Sequence, residues 1–232
     1  MCYLTMLSRG ANAWQGTYIA AAMCIHFAGY ELARAASITL FASKEIGLGL
    51  YPSALPFVTA AVLPVSIGAL ALYGRCVQAF GPRTTLQLSV AVSSMFFLAV
   101  SAFLSAGMSD TVMTRSVVAA LYMFREIYVN LMGTQLWGLL NTALREQSAA
   151  SARGRLCAIQ GLSCVCSAIA GVAAGWMSRS GGPLALLIAA GACLIGVLVA
   201  VSADSKGFAY DGGRREGASG ITGKDKGYNK AN

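Results

Sequence analysis

Six long apolar stretches, each separated from the next by a short polar interval, leave this chain very few folds. They run roughly 16–42, 54–73, 86–106, 116–141, 156–177 and 183–203. A helix needs about 20 predominantly apolar residues to cross the hydrocarbon core of a bilayer, and each stretch supplies them. In hydrocarbon every backbone N–H and C=O must pair within its own segment or inside a closed barrel. The stretches are too long for barrel strands and lack two-residue alternation. The expected fold is therefore all-α: a polytopic membrane helical bundle of about six transmembrane helices, with neighbours held antiparallel by short loops. Pro183 fits the first turn of the sixth helix, where its missing N–H is not needed.

Composition removes the water-soluble alternative. Only 11% of the residues are charged, against about 25% in soluble domains, while 56% are hydrophobic and the mean hydropathy is +0.63. The net charge of +8 would suggest nucleic acid in a soluble protein. Here the basic residues sit between apolar runs, so the partner they imply is the lipid bilayer and no nucleic acid is expected. Arg9, Arg75, Arg83, Arg145, Arg153, Arg155 and the basic residues beyond 204 fall on one side of a six-span arrangement. Lys44, Arg115 and Arg179 fall on the other. That bias places both termini on the cytoplasmic or stromal-type side. The domain reading is an N-terminal segment over 1–15, a six-helix transmembrane domain over 16–203 and a basic, Gly-rich tail over 204–232. The tail is expected to be disordered, as a lipid-surface tether or a solubilising end.

The most informative residues are those hardest to place in lipid. A charge near the bilayer centre costs on the order of 3 kcal/mol. Glu31 and Arg34 fall near the middle of the first stretch, Arg125 and Glu126 near the middle of the fourth, and their signs cancel. His26, Tyr30, Arg34 and Ser37 recur at helical spacing. So do Tyr122, Glu126, Asn130, Gly133, Trp137 and Asn141. Two such polar stripes are expected to face each other or a wet cavity. Two readings stay open. The residues line a substrate or ion path, or they close ion pairs that pin two helices, Arg34 with Glu126 or Glu31 with Arg125; a local Glu31–Arg34 pair is a further arrangement. On the fifth stretch Ser163, Ser167, Gly171 and Gly175 recur every four residues. Small residues in a row let backbones approach closely, so this is expected to be a packing face within the bundle, with dimerisation as the alternative.

Catalytic and metal chemistry has little to work with. The seven cysteines show no paired framework, and Cys164 and Cys166 point to nearly opposite helix faces. With one histidine, no nucleophile–base pair and no glycine-rich phosphate loop, no enzyme activity, cofactor or metal is expected.

Two segments resemble known transporters. The stretch Gly74-Arg75-Cys76-Val77-Gln78-Ala79-Phe80-Gly81-Pro82-Arg83 looks like the loop between helices two and three of the major facilitator superfamily. Gly74, Gly81 and Arg83 fit that pattern, and Gln78 stands in place of its acid. Tyr30–Gly49 with Pro56 and Pro64, Arg125-Glu126-Ile127-Tyr128-Val129-Asn130, and Gln135-Leu136-Trp137-Gly138-Leu139-Leu140-Asn141 resemble the nucleotide (ATP/ADP) translocases of plastids and intracellular bacteria. Arg155 and Gly161 fall where that family has a basic and a small residue. The resemblance implies a fold similar to one half of a major-facilitator transporter, in a plastid or other organelle membrane. It also implies transport of an organic anion such as a nucleotide. Tyr30, Arg34, Arg125, Glu126, Asn130 and Trp137 would then line the substrate site. Ser37 stands where the family carries a lysine, which removes one cation from it. Half of a twelve-helix family implies a partner: a second transporter half, a homodimer or a larger membrane complex. The rival function is a degenerate, non-transporting subunit that acts as a scaffold.

Overall fold

The computed structural model describes the backbone of residues 2–49, 51, 53–107, 111–144 and 149–219, and side chains within 17–49, 51, 53–107, 112–141 and 153–203. Among these the chain forms six α-helices and no strand: α1 Cys2–Ala42, α2 Ala54–Phe80, α3 Pro82–Ser105, α4 Thr111–Leu144, α5 Ala149–Ser180 and α6 Gly182–Ser219. The helices outrun the apolar stretches at their ends. The first takes in most of the N-terminal segment. The sixth continues to Ser219, into the stretch expected to be a disordered tail, whose remainder, 220–232, lies outside the described residues.

One local expectation is corrected. The stretch from Gly74 to Arg83 is not a loop: α2 continues to Phe80, and Gly81 alone separates it from α3. Nothing in 74–80 breaks a helix. The reversal is made at Gly81, whose φ of 80° an L side chain resists and whose N–H bonds the Val77 carbonyl at 2.9 Å. Pro82 then opens α3 with a φ already suited to it. Arg83, in the first turn, donates to the Val201 carbonyl at 3.4 Å and so ties α3 to α6.

Helices α5, α1, α4 and α2 follow one another across one side of the bundle, with α6 and α3 behind them. The inner face of α4 is Thr114, Val118, Leu121, Arg125, Tyr128, Met132, Leu136 and Leu140, all buried. Their steps of four and three residues keep one side of a helix against its neighbours. Behind, α1 and α6 cross where Gly29 removes a side chain; a Cβ there would lie 2.8 Å from Cys193 Cβ.

The outer surface is as greasy as the interior. α2 contains no buried residue and exposes Phe57, Leu63, Ile67 and Leu72, while α5 exposes Ile169, Val172 and Trp176. Such a surface would aggregate in water and is what hydrocarbon solvates. Among the described residues four helices are long and apolar enough to cross a membrane: Ala54–Phe80, Pro82–Ser105, Arg153–Ser180 and Gly182–Ala203. The chain is thus a multi-pass helical membrane protein. α1 and α4 are outside that set because they carry the charges and amides, and they are the two middle helices of the front row.

Replacing Gly29 with leucine forces α1 away from α6 and should lower stability by about 1–3 kcal/mol, the usual cost of overpacking. Gly171, where a Cβ meets nothing within 4 Å, should accept leucine without loss. Thermal unfolding of both variants in detergent checks the contrast.

Candidate functional site

The four mid-helix charges gather where α1 meets α4, but each pairs within its own helix. Arg34 Nη1 donates to Glu31 Oε2 at 3.3 Å and to Oε1 at 3.5 Å, one turn away. Arg125 Nη2 donates to the carboxylate of its neighbour Glu126. The cross-helix pairs, Arg34 with Glu126 and Glu31 with Arg125, are not made. For Glu31 and Arg34 the reason is reach: partners three residues apart lie on one helix face and need no second helix to be positioned. Tyr30, on α1, lies within electrostatic range of all four charges.

The two pairs differ in access. The Arg125 side chain is 2% exposed, and its guanidinium sits 4.7 Å from the centre of the Tyr122 ring. It occupies a core position of the α4 inner face, and only Nη2 and the ring account for its charge; Nε has no partner. The Arg34 side chain is 51% exposed. Glu31 also accepts from Ser167 Oγ on α5 at 3.3 Å.

A second polar contact crosses the same interface deeper in. His26 Nδ1 and the Tyr128 hydroxyl share a hydrogen bond of 2.7 Å, with both residues buried. The rings meet edge to face at 5.2 Å. Phe97 and Phe124 pack against Tyr128 and close it in. His26 Nε2 has no partner. Nearby, Gln135 Nε2 donates to Ser89 Oγ at 3.2 Å, joining α4 to α3.

Two clefts flank the charge cluster. One, of about 400 Å³ between α2 and α4, is lined by Thr59, Val62, Leu63, Ser66, Tyr122, Glu126 and Asn130. The other, of about 270 Å³ between α1 and α5, contains Tyr30, Glu31, Gln160, Ser163 and Ser167. Each cleft thus holds one carboxylate. On α4 the polar face continues through Asn130, Thr134, Gly138 and Asn141, all exposed. Asn130 Nδ2 bonds the Glu126 carbonyl and Thr134 Oγ1 the Asn130 carbonyl.

The expected stripes wind rather than run straight. A helix turns about 100° per residue, so a strict four-residue repeat slips roughly 40° per step. His26 and Ser37 therefore share the buried face of α1, while Arg34 has rotated out to the surface. On α5 Ser163 is buried and Ser167 half-buried, whereas Gly171 and Gly175 are exposed and touch nothing within 4 Å. The packing face of α5 is corrected accordingly: Ser163, Ala170 and Ala174, which recur at seven and eleven residues and are buried. Trp137 is partly buried against the core. Tyr128 and Gln135 were absent from the expected site. The signal for Tyr128 is the run of four- and three-residue steps along the α4 inner face, which contains it; buried Gln135 lies beside that seam, next to Leu136.

Among the described residues no group of three His, Cys, Asp or Glu is placed to hold a metal ion. No protein-family model, curated protein or solved structure matches the chain.

Arg125→Leu strands Glu126 and should lower unfolding stability by about 3 kcal/mol, the scale of breaking a buried pair. The double variant Arg125→Leu/Glu126→Gln should recover most of that loss. Arg34→Gln, at an exposed pair, should cost less than about 1 kcal/mol. Denaturation of the three variants in detergent separates the two pairs.

Proposed function

We propose that the chain is one half of a membrane transporter, with six spans, in which α1 and α4 present a polar face to an aqueous path. A second half completes that path, and another copy of this chain is the simplest supplier of it. One observation carries the reading. The Glu31–Arg34 ion pair is open to the outside of a bundle whose exposed surfaces on α2, α3 and α6 are largely aliphatic or aromatic. A charge pair facing lipid is expensive, and ionisable residues in spans face an interior or a water-filled cavity. Water, or a partner's interior face, is therefore the natural environment of this side of α1.

Arg34 is the cation that a solute would meet. Arg125, enclosed by Glu126 and Tyr122, is occupied. The substrate in this reading is an organic solute with an anionic group. The nucleotide suggested by the resemblance to translocases would bring several negative charges to a cluster that sums to zero, so the geometry favours a less charged solute. Alternating access then amounts to rocking of the two halves about this face.

The scaffold reading has its own support. α2, 27 residues long, buries none of them within the chain, and a neighbouring subunit would use such a surface. Charges that pair within their own helices also need no substrate to neutralise them.

Liposomes reconstituted with the full chain should take up at least one of labelled ATP, ADP, phosphate or a small carboxylate. Arg34→Gln should cut that flux about tenfold, the equivalent of losing one charge-assisted hydrogen bond. Folded protein with no flux of any of these, running in native gels only within a larger assembly, would establish the scaffold instead.

A further inference from the structure

We propose that the cleft between α1 and α5 binds a small zwitterion, a molecule carrying an ammonium and a carboxylate a few ångströms apart. Its role as a transported substrate rests on the transporter reading; its binding rests on the geometry of the cleft alone.

The cleft encloses about 270 Å³, below the 300–1,000 Å³ typical of pockets for drug-sized ligands. Its polar lining residues are Glu31, Tyr30, Gln160, Cys164 and Ser167, with fully buried Ser163 bonded to Cys24 Sγ at 3.8 Å. Gln160 spends Nε2 on Cys164 Sγ at 3.5 Å, which leaves its carbonyl oxygen to accept from an ammonium. Ser167 already donates to Glu31 and holds that carboxylate against the α5 wall. Phe27 supplies an apolar wall, and with Tyr30 it offers aromatic faces to a side chain or to an alkylammonium. Arg34 stands outside the lining and reaches the cleft through its bonds to Glu31.

Charge balance selects the ligand class. Glu31 and Arg34 neutralise each other. An anion that draws Arg34 away strands the carboxylate, and a cation that takes Glu31 strands the guanidinium. A singly charged ligand therefore exchanges one charge-assisted pair for another and gains little. A zwitterion avoids both: its ammonium takes Glu31, its carboxylate takes Arg34, and one ion pair becomes two with no charge left over. The exposed, flexible Arg34 side chain is free to make that move. The enclosed Arg125–Glu126 pair contributes no net charge to disturb the balance.

The test is thermal unfolding of the purified full chain in detergent with glycine, L-leucine, L-phenylalanine or glycine betaine. 4-Methylpentanoate and 3-methylbutylamine, which are leucine without its ammonium and without its carboxylate, serve as single-charge controls. At least one zwitterion should raise the midpoint saturably, with both controls inert at the same concentrations. Glu31→Gln/Arg34→Gln should abolish the shift. So should Ser167→Leu, which fills the cleft and leaves the ion pair intact. The proposal is overturned if no zwitterion of the set shifts the midpoint, if either control matches leucine, or if the shift survives both variants. A zwitterion that binds but is not taken up by liposomes keeps this site and removes its role as a transported substrate. Flux of another solute without zwitterion binding does the reverse.

Discussion

A guanidinium embedded among packed helices in a membrane has to be neutralised where it stands, because neither lipid nor bulk water will do it. Arg125 occupies such a position, in the seam where valine, leucine, tyrosine and methionine hold the other places of α4's inner face. Its neighbour Glu126 and the Tyr122 ring answer its charge from the same helix. The arrangement leaves the helices free to pack by shape. What crosses between α1 and α4 is the His26–Tyr128 hydrogen bond and the apolar contacts around it. The interface is thus pinned by that contact, while the charges sit beside it as two separately balanced pairs.

That separation shapes the surface. A soluble protein hides its apolar side chains; this bundle displays them on α2, α3, α5 and α6 and keeps its mid-helix ion pairs to α1 and α4. Two solvents are implied. Lipid suits the aliphatic faces, and a wetter environment suits Arg34, Asn130 and the faces around them. Tyr30 lies within electrostatic range of the charges on both helices, and a carboxylate opens into a cleft on either side. For a functional reading, net charge then matters less than the fact that each cation already has an anion. Any ligand must replace that balance without breaking it.

Much of this was legible in the residues. The six helices follow from length and apolarity, and Glu31, Arg34, Arg125 and Glu126 stand out as the residues hardest to place in lipid. What the spacing misjudged has one geometric cause. A four-residue repeat looks like a stripe on paper but slips round a real helix, so Arg34 leaves the face of His26, and Gly171 and Gly175 leave the face of Ser163. The inner face of α4, which mixes steps of four and three residues, follows the contact line between packed helices and includes Tyr128. The Gly74–Arg83 stretch was misjudged for another reason. Similarity to a loop pattern outweighed the absence of any helix breaker before Gly81.

By itself, then, the amino-acid order determined the solvent, the secondary structure and the identity of the costly groups. Each of these depends on side-chain chemistry averaged along a segment or on a single residue's transfer energy. Tertiary structure alone decided which charge answers which, which arginine stays accessible, and which faces of α1 and α5 meet. Those outcomes depend on the relative rotation of packed helices. A shift of one residue turns a side chain by about 100°, so they are settled only when all the inner faces interlock at once.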